Sequence, residues 1–254
     1  MKTLYISVVS HAQEEMIMEN FAFLPKHSGE WKVQLCLIDN TGSDVLRHFA
    51  AQHGYLYHYD RVQRGFGANH NLAFSLCNPS EEDIFIVCNP DIILDNDQLA
   101  AMVPSFVQSG ADIGNVRCYY NKEKTILSNP DRHFPCLFNF VFSIALGKRF
   151  HYGSDYEVVS PEWISGEFMM VRPYAYRVIG GYDEDYFMYV EDVDFCYRAR
   201  QSGLVIRHDS NHFVIHETQM ASRSVVSKSF RMHLKSVMTF LRKHRRFCLL
   251  KTVS

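Results

Sequence analysis

Ile84-Phe85-Ile86-Val87-Cys88 runs straight into Asn89-Pro90-Asp91, and that junction decides the fold. A short unbroken apolar run bounded by turn residues reads as a buried strand. Its end delivers a carboxylate, Asp91, at the place where a strand gives way to a loop. Working back toward the N-terminus, the same grammar repeats. Leu4 to Val9 is apolar and β-branched, and Val33 to Ile38 (VQLCLI) stops abruptly in Asp39-Asn40-Thr41-Gly42-Ser43. Helical patterns separate these runs: one holding Met16, Phe23 and Leu24, then Asp44 to His53 closed by Gly54. A strand over Tyr55 to Tyr59 follows, then the loop Arg64-Gly65-Phe66-Gly67-Ala68-Asn69-His70-Asn71 and a helix from Leu72 to Cys77. Strands alternating with helices through short connections predict an α/β fold with a mostly parallel sheet flanked by helices. Ligands of such sheets sit at the carboxyl ends of the strands, where Asp39, the Gly-Phe-Gly loop and Asp91 all fall.

Beyond Asp91, Leu99 to Val107 reads as helix and Ile113 to Tyr119 as strand. A polar loop follows over Asn121 to Arg132. The longest apolar run, Phe134 to Leu146, is interrupted by Pro135, Asn139 and Ser143, so a buried or interfacial helix is expected there. No run reaches the length of a membrane span. Phe168 to Val171 is a strand, Pro173 to Ile179 a short helix stopped by Gly180-Gly181, and Asp192 to Gln201 a helix. Leu204 to Ile206 and Phe213 to Ile215 are short strands.

The chain has 254 residues, 47% of them hydrophobic, enough for a sizeable core. Its seven cysteines are scattered without a C-x-x-C pair and several sit in apolar runs. They therefore behave as small hydrophobes, and a reducing cytosol is the expected compartment. The opening MKTLYISVVSH reads as a strand rather than a secretion signal. Net charge is −2, but from Thr218 to Ser254 there are nine Lys/Arg and no acid. That tail points to an anionic partner: a membrane surface, a pyrophosphate or a nucleic acid. Phe230, Leu234, Val237, Met238 and Leu241 recur in it at helical spacing, with Arg231, Lys235, Arg242 and Arg245 on another face. Such a helix can lie on an anionic leaflet or pack its apolar stripe on the core.

The richest chemistry lies in GGYDEDYFMYVEDVDFCYRAR, Gly180 to Arg200. Acids interleaved with Tyr182, Tyr186, Phe187, Met188 and Tyr189 tend to have perturbed proton affinity, one mark of a catalytic site, the alternative being a solvated acidic loop before an ordinary helix. Glu191 and Asp192 fall at a helix N-terminus, where the dipole favours an anion, and one of them is free to act as a general base. Asp194 and Arg198, at i and i+4, form an ion pair. Asp91 could ligate a hard divalent cation or merely form a turn. Asp39 could accept from a nucleobase or cap the next helix. Gly65 and Gly67 allow close backbone approach to a ligand, Arg64 could meet a phosphate, and the missing third glycine argues against a dinucleotide site. His216 follows the last strand, diluted as a signal by His208 and His212.

Taken in order, IDNTGS, RGFGANHN, CNPDIIL, the W-x-S-G element at Trp163 to Gly166, GGYDEDYFMYVEDVDFCYRAR and His216 resemble the inverting family 2 glycosyltransferases of GT-A fold. The likeness spans Leu4 to Glu217. Within the family it is similar to bacterial O-antigen rhamnosyltransferases, which share NPDII and YFMY-x-ED-x-D-x-C. The resemblance implies one GT-A domain over 1–217, with a donor half to about 118 and an acceptor half beyond, and a basic helical tail over 218–254. It implies that Asp39 contacts the nucleobase and that Asn89 and Asp91 stand at the D-x-D motif, with Asn89 departing from its first acid. Asp91 and His216 would hold Mg²⁺ or Mn²⁺. Asp192 would be the base, with Glu191 as its neighbour or substitute. Trp163, Ser165 and Gly166 would line the sugar pocket, and Asp183 would face the acceptor. The implied reaction moves L-rhamnose from dTDP-rhamnose to a polyprenyl-diphosphate-linked saccharide at the inner face of the membrane, with no nucleic acid involved. Another nucleotide sugar, or a catalytically silent sugar-nucleotide binder, is the alternative.

Overall fold

The computed structural model describes residues 1–128, 132–136, 159–217 and 228–245. The expected helix over Phe134–Leu146 lies, past residue 136, outside the described residues, as do tail residues 218–227 and 246–254.

Sheet and helices interleave as the sequence predicts through the first half. Strands β1 (Thr3–Ser10), β3 (Trp31–Asp39), β4 (Leu56–His58) and β5 (Ile84–Cys88) pair in parallel, with β1 between β3 and β5. The second half departs from parallel pairing. Strand β8 (Phe168–Val171) runs antiparallel to both β5 and β7 (Ile113–Tyr119), and β7 pairs in parallel with β9 (Ile206–His216). Two short strands lay below the reach of periodicity: β2 (His27–Ser28) on β3, and β6 (Ile92–Ile93) on β9. The path β2-β3-β1-β5-β8-β7-β9-β6 is therefore a mixed α/β sheet.

The apolar strands bury both faces, with alternate residues entering opposite cores. Ile84, Ile86 and Cys88 join the core under α1 (Glu14–Phe21), α2 (Asp44–His53) and α4 (Asn96–Gln108). Phe85 and Val87 join the core under α3 (Phe66–Cys77), α5 (Pro173–Ile179), α6 (Glu191–Gln201) and α7 (Lys228–Lys243). Capping follows local chemistry: the Ser43 side chain accepts from Leu46 N, and Gly54 closes α2 at φ 72°.

Two expected boundaries move. Helix α3 begins at Phe66 rather than Leu72, because most of the glycine-containing segment is itself the first turns of helix. Glycine is a poor helix former, yet a Cβ at Gly67 would lie 2.6 Å from Tyr182 Cβ, so packing overrides propensity. The two short strands expected around His208 are one strand, β9. Its polar middle sits at a register shift opposite Val116/Arg117, which breaks the apolar pattern without ending the strand.

Helix α7 uses its apolar stripe on the domain itself. Val237, Phe240 and Leu241 are fully or nearly buried in the core that holds Trp163, while Leu234 and Met238 remain exposed. Its Ser236 hydroxyl donates to Met188 O at 2.9 Å, Lys243 pairs with Asp183 and Asp185, and His244 just beyond it meets Asp194 at 2.7 Å.

Candidate active site

Glu191 and Asp192 open α6, and the backbone that delivers them is strained. Tyr189 and Val190 both adopt positive φ, 70° and 71°, a costly region for bulky and β-branched side chains. The turn is held from both sides. Phe66 N donates to Phe187 O at 2.9 Å, and Asn71 brackets Tyr182, its amide donating to Tyr182 O and its Oδ1 accepting from Tyr182 N. A Cβ at Gly65 would fall 2.2 Å from Phe187 O. The close approach these glycines permit in this structure is to the acidic loop. Arg64 likewise reaches no open site: it forks onto Asp60 at 2.5 and 2.9 Å and holds that carboxyl well below the usual range.

Asp192 is half-buried. Its Oδ2 accepts from Gly166 N at 3.0 Å and its Oδ1 from Val193 N at 2.8 Å. Gly166 is thus the anchor of the carboxylate, and a Cβ there would press on Asp192 Cβ and Phe66 at 3.3 Å. Burial, opposed by those bonds and by Arg132, leaves the Asp192 carboxyl above its ordinary range. Glu191 is buried, and its Oε2 has no hydrogen-bond partner among the described residues. Burial and then the Asp192 charge push it up to about 8. Burial raises the proton affinity of both acids, and because the two interact they titrate as a pair.

A testable consequence concerns stability. The folded-state affinity of Glu191 lies above its ordinary value of 4.5, so the protein binds a proton that the unfolded chain has released. That contribution is complete below about pH 4.5 and is lost as pH rises through about 8. Glu191→Gln removes it. We expect the variant to gain on the wild type between pH 5 and pH 8.5 by on the order of 1–4 kcal/mol, read from urea midpoints. A gap that does not change with pH would refute the buried-acid assignment.

A second cluster stands at the ends of β5 and β9. His216 Nε2 forms an ion pair with Asp91 Oδ1 at 2.9 Å, and its Nδ1 lies 3.2 Å from Glu167 Oε2. The other two histidines of the strand go elsewhere: His208 to Asn115 and His212 to Asp209. Burial alone would lower the His216 proton affinity, but the two carboxylates outweigh it and raise it to about 9. Burial would raise Glu167, yet the His216 bond and Arg132 hold it below the usual range. Asp91 Oδ1 is buried with no donor aligned on it, and oxygen and imidazole donors converge here, so the set suits a divalent cation. Cys118, Glu167 and His216 each bring a ligand atom within 4.8 Å of the others.

Sequence reading missed Glu167 and Arg132. Arg132 is buried, stacks over Trp163 at 4.8 Å and acts electrostatically on both Asp192 and Glu167, tying the two clusters together. Trp163 is buried and donates to His133 O, so it forms a wall of the core rather than an open pocket surface. Ser165 is partly exposed beside it, and Asn89 is half-buried at the strand end. Asp183 is committed to Lys243. Asp39 has all four acceptor positions filled by the chain: Thr41 N and Oγ1 on one oxygen, Ser43 N and Tyr57 OH on the other. These bonds shape the Asn40–Ser43 loop.

The fold has solved counterparts. The mannosyltransferase PcManGT from Pyrobaculum calidifontis, in complex with GDP-Man and Mn²⁺, superposes with a TM-score of 0.62 at 14% identity. The match covers 98% of this chain and 65% of that one. The fold is that of the GT-A glycosyltransferases. No protein-family model matches the chain. It is, however, 30% identical over 250 residues to the rhamnosyltransferase WbbL of Escherichia coli (strain K12), across 95% of this chain and 94% of that protein. A shorter match, 34% over 79 residues, is to the N-acetylglucosaminyl-diphospho-decaprenol L-rhamnosyltransferase of Mycobacterium tuberculosis, covering 31% of this chain and 26% of that one. The chain is a glycosyltransferase and belongs to the family of WbbL.

Proposed function

We propose that the protein transfers L-rhamnose from dTDP-L-rhamnose, with inversion, to a saccharide carried on a polyprenyl diphosphate. The observation that carries this reading is the Glu191–Asp192 pair, one acid buried and one carboxylate anchored on Gly166 at the edge of a site. The names of the two sequence relatives support the sugar and the lipid-diphosphate acceptor.

An acceptor hydroxyl is a weak nucleophile at neutral pH, so its proton must leave as the new bond forms. Asp192 takes that proton, and a single in-line displacement inverts the anomeric centre without an enzyme nucleophile. Glu191, buried beside it with its proton affinity raised, limits the negative charge that faces the attacking oxygen. Asp91 and His216 would hold Mg²⁺ or Mn²⁺, whose charge would stabilise the departing nucleoside diphosphate. The loop shaped by Asp39 borders the donor side of the site.

The acceptor lipid and an anionic leaflet are the partners of the outer surface. Arg231, Lys235, Arg242 and Arg245 are exposed on α7 and its last turn. Beside them stand exposed Leu234 and Met238 and, on the acidic loop that α7 grips, exposed Phe187, Met188 and Tyr189. Apolar tips rimmed by cations suit the headgroup zone of an anionic membrane. Among the described residues no helix is long and apolar enough to cross one. Peripheral attachment at the inner face is the corresponding location.

A donor screen tests the reading. Purified protein with Mg²⁺ or Mn²⁺ and a lipid-diphosphate-linked GlcNAc acceptor should consume dTDP-L-rhamnose in preference to UDP-glucose, UDP-GlcNAc and UDP-galactofuranose. Preference for a UDP-sugar would replace the donor, and no turnover with any donor would favour a silent binder.

A further inference from the structure

The His216 ring lies between two carboxylates, one at each nitrogen: Asp91 at Nε2, 2.9 Å away, and Glu167 at Nδ1, 3.2 Å away. A cation can use only one side of such a ring. The two acids differ in access, since the Asp91 side chain is 25% exposed and the Glu167 side chain 10%. Asp91 therefore lies on the side a ligand can enter, and Glu167 lies behind the imidazole.

We propose that Glu167 is the positioning residue of the cation site, holding His216 in the tautomer with the proton on Nδ1 and presenting Nε2 beside Asp91. The proposal rests on the reading of Asp91 and His216 as the cation's ligands. Strand pairing explains why the acid stands at this position. Asn89 N donates to Glu167 O at 2.9 Å across the β5–β8 pair, so Glu167 is the cross-strand neighbour of the residue that lacks a carboxylate. The second negative charge missing from Asn89-Pro90-Asp91 is supplied from the adjacent strand, through the histidine. Histidine ligands commonly donate their second ring N–H to a carboxylate, and loss of that partner weakens metal affinity by about 10- to 100-fold. The Cys118 thiol, its sulfur within 4.8 Å of ligand atoms of Glu167 and His216, completes the enclosure behind the ring.

The test is Mn²⁺ binding by the chelator-stripped full chain, followed by the electron paramagnetic resonance signal of free Mn²⁺. Glu167→Leu should weaken binding about 10- to 100-fold. Glu167→Gln, whose amide oxygen still accepts from Nδ1–H, should stay within about threefold, well short of that loss. Wild-type affinity in Glu167→Leu would overturn the proposal. So would a Gln variant as weak as the Leu variant, which would make Glu167 a direct ligand with Cys118 on the Nδ1 side. Asp91→Ala and His216→Ala serve as the control: if neither weakens Mn²⁺ binding, the ligand reading beneath the proposal fails. A measurement without variants uses long-range ¹H–¹⁵N correlations of the Mg²⁺-loaded wild type. A proton on Nδ1 of His216 is expected, and a proton on Nε2 would overturn the assignment.

Discussion

Asp192→Asn should lower kcat by about 10²- to 10⁴-fold, the contribution of a positioned general base. Donor KM should change little. The asparagine keeps the size of the side chain, and its amide oxygen can still accept from Gly166 N, now 3.0 Å from Oδ2. The strained turn at Tyr189–Val190 and the start of α6 should keep their shape, with a stability loss of about 1 kcal/mol because the amide nitrogen replaces the oxygen that accepts from Val193 N. What is lost is proton acceptance in the transition state, which appears in kcat rather than in ground-state binding. Single-turnover transfer with saturating donor reads the effect directly. Turnover close to wild type would move the base to Glu191 or outside the pair.

The second large effect is expected at Asp91. Asp91→Ala takes away the carboxylate that faces His216 on its accessible side. A cation contributes several kcal/mol to a transition state that sheds a diphosphate, so we expect a loss of about 10³-fold at moderate metal concentration. Excess Mn²⁺ should recover part of that loss, and it should recover none of the loss in Asp192→Asn. EDTA should silence the wild type, with activity returning on Mg²⁺ or Mn²⁺ addition. Activity indifferent to EDTA would remove both Asp91 and His216 from the ligand set.

The contrast between these two acids and their neighbours shows what a sequence discloses. Strand β5 was legible because both of its faces are buried, so its residues form an unbroken apolar run whose end marks Asp91. The Glu191–Asp192 pair was legible from its place at a helix start, and the Asp194–Arg198 pair from its helical spacing, confirmed at 2.7 Å. Glu167 was not legible, because its meaning comes from facing Asn89 and His216, and cross-strand neighbours leave no trace in linear spacing. Gly65 and Gly67 suggested room for a ligand, but the room is taken by Phe187 and Tyr182, more than a hundred residues further along. Asp39 looked free because the hydroxyl that completes its coordination, Tyr57, arrives from β4. Within the tail, Lys228–Lys243 is helical, as the apolar spacing there suggests, yet only the fold decides that Val237, Phe240 and Leu241 go inward.

One pairing described above also sets a sequence in time. Ile92 of β6 pairs with His216 of β9, the last strand of the sheet in chain order among the described residues. A ribosome that has delivered everything through β8 has already placed Asn89, Asp91 and Glu167, three groups waiting around an imidazole not yet synthesised. Domains mature from the N-terminus as they emerge. The proposed ligands Asp91 and His216 would come together only when β9 arrives, so a chain made only through β8 would lack the cation site. On that reading, cation binding would be the last part of the site to form.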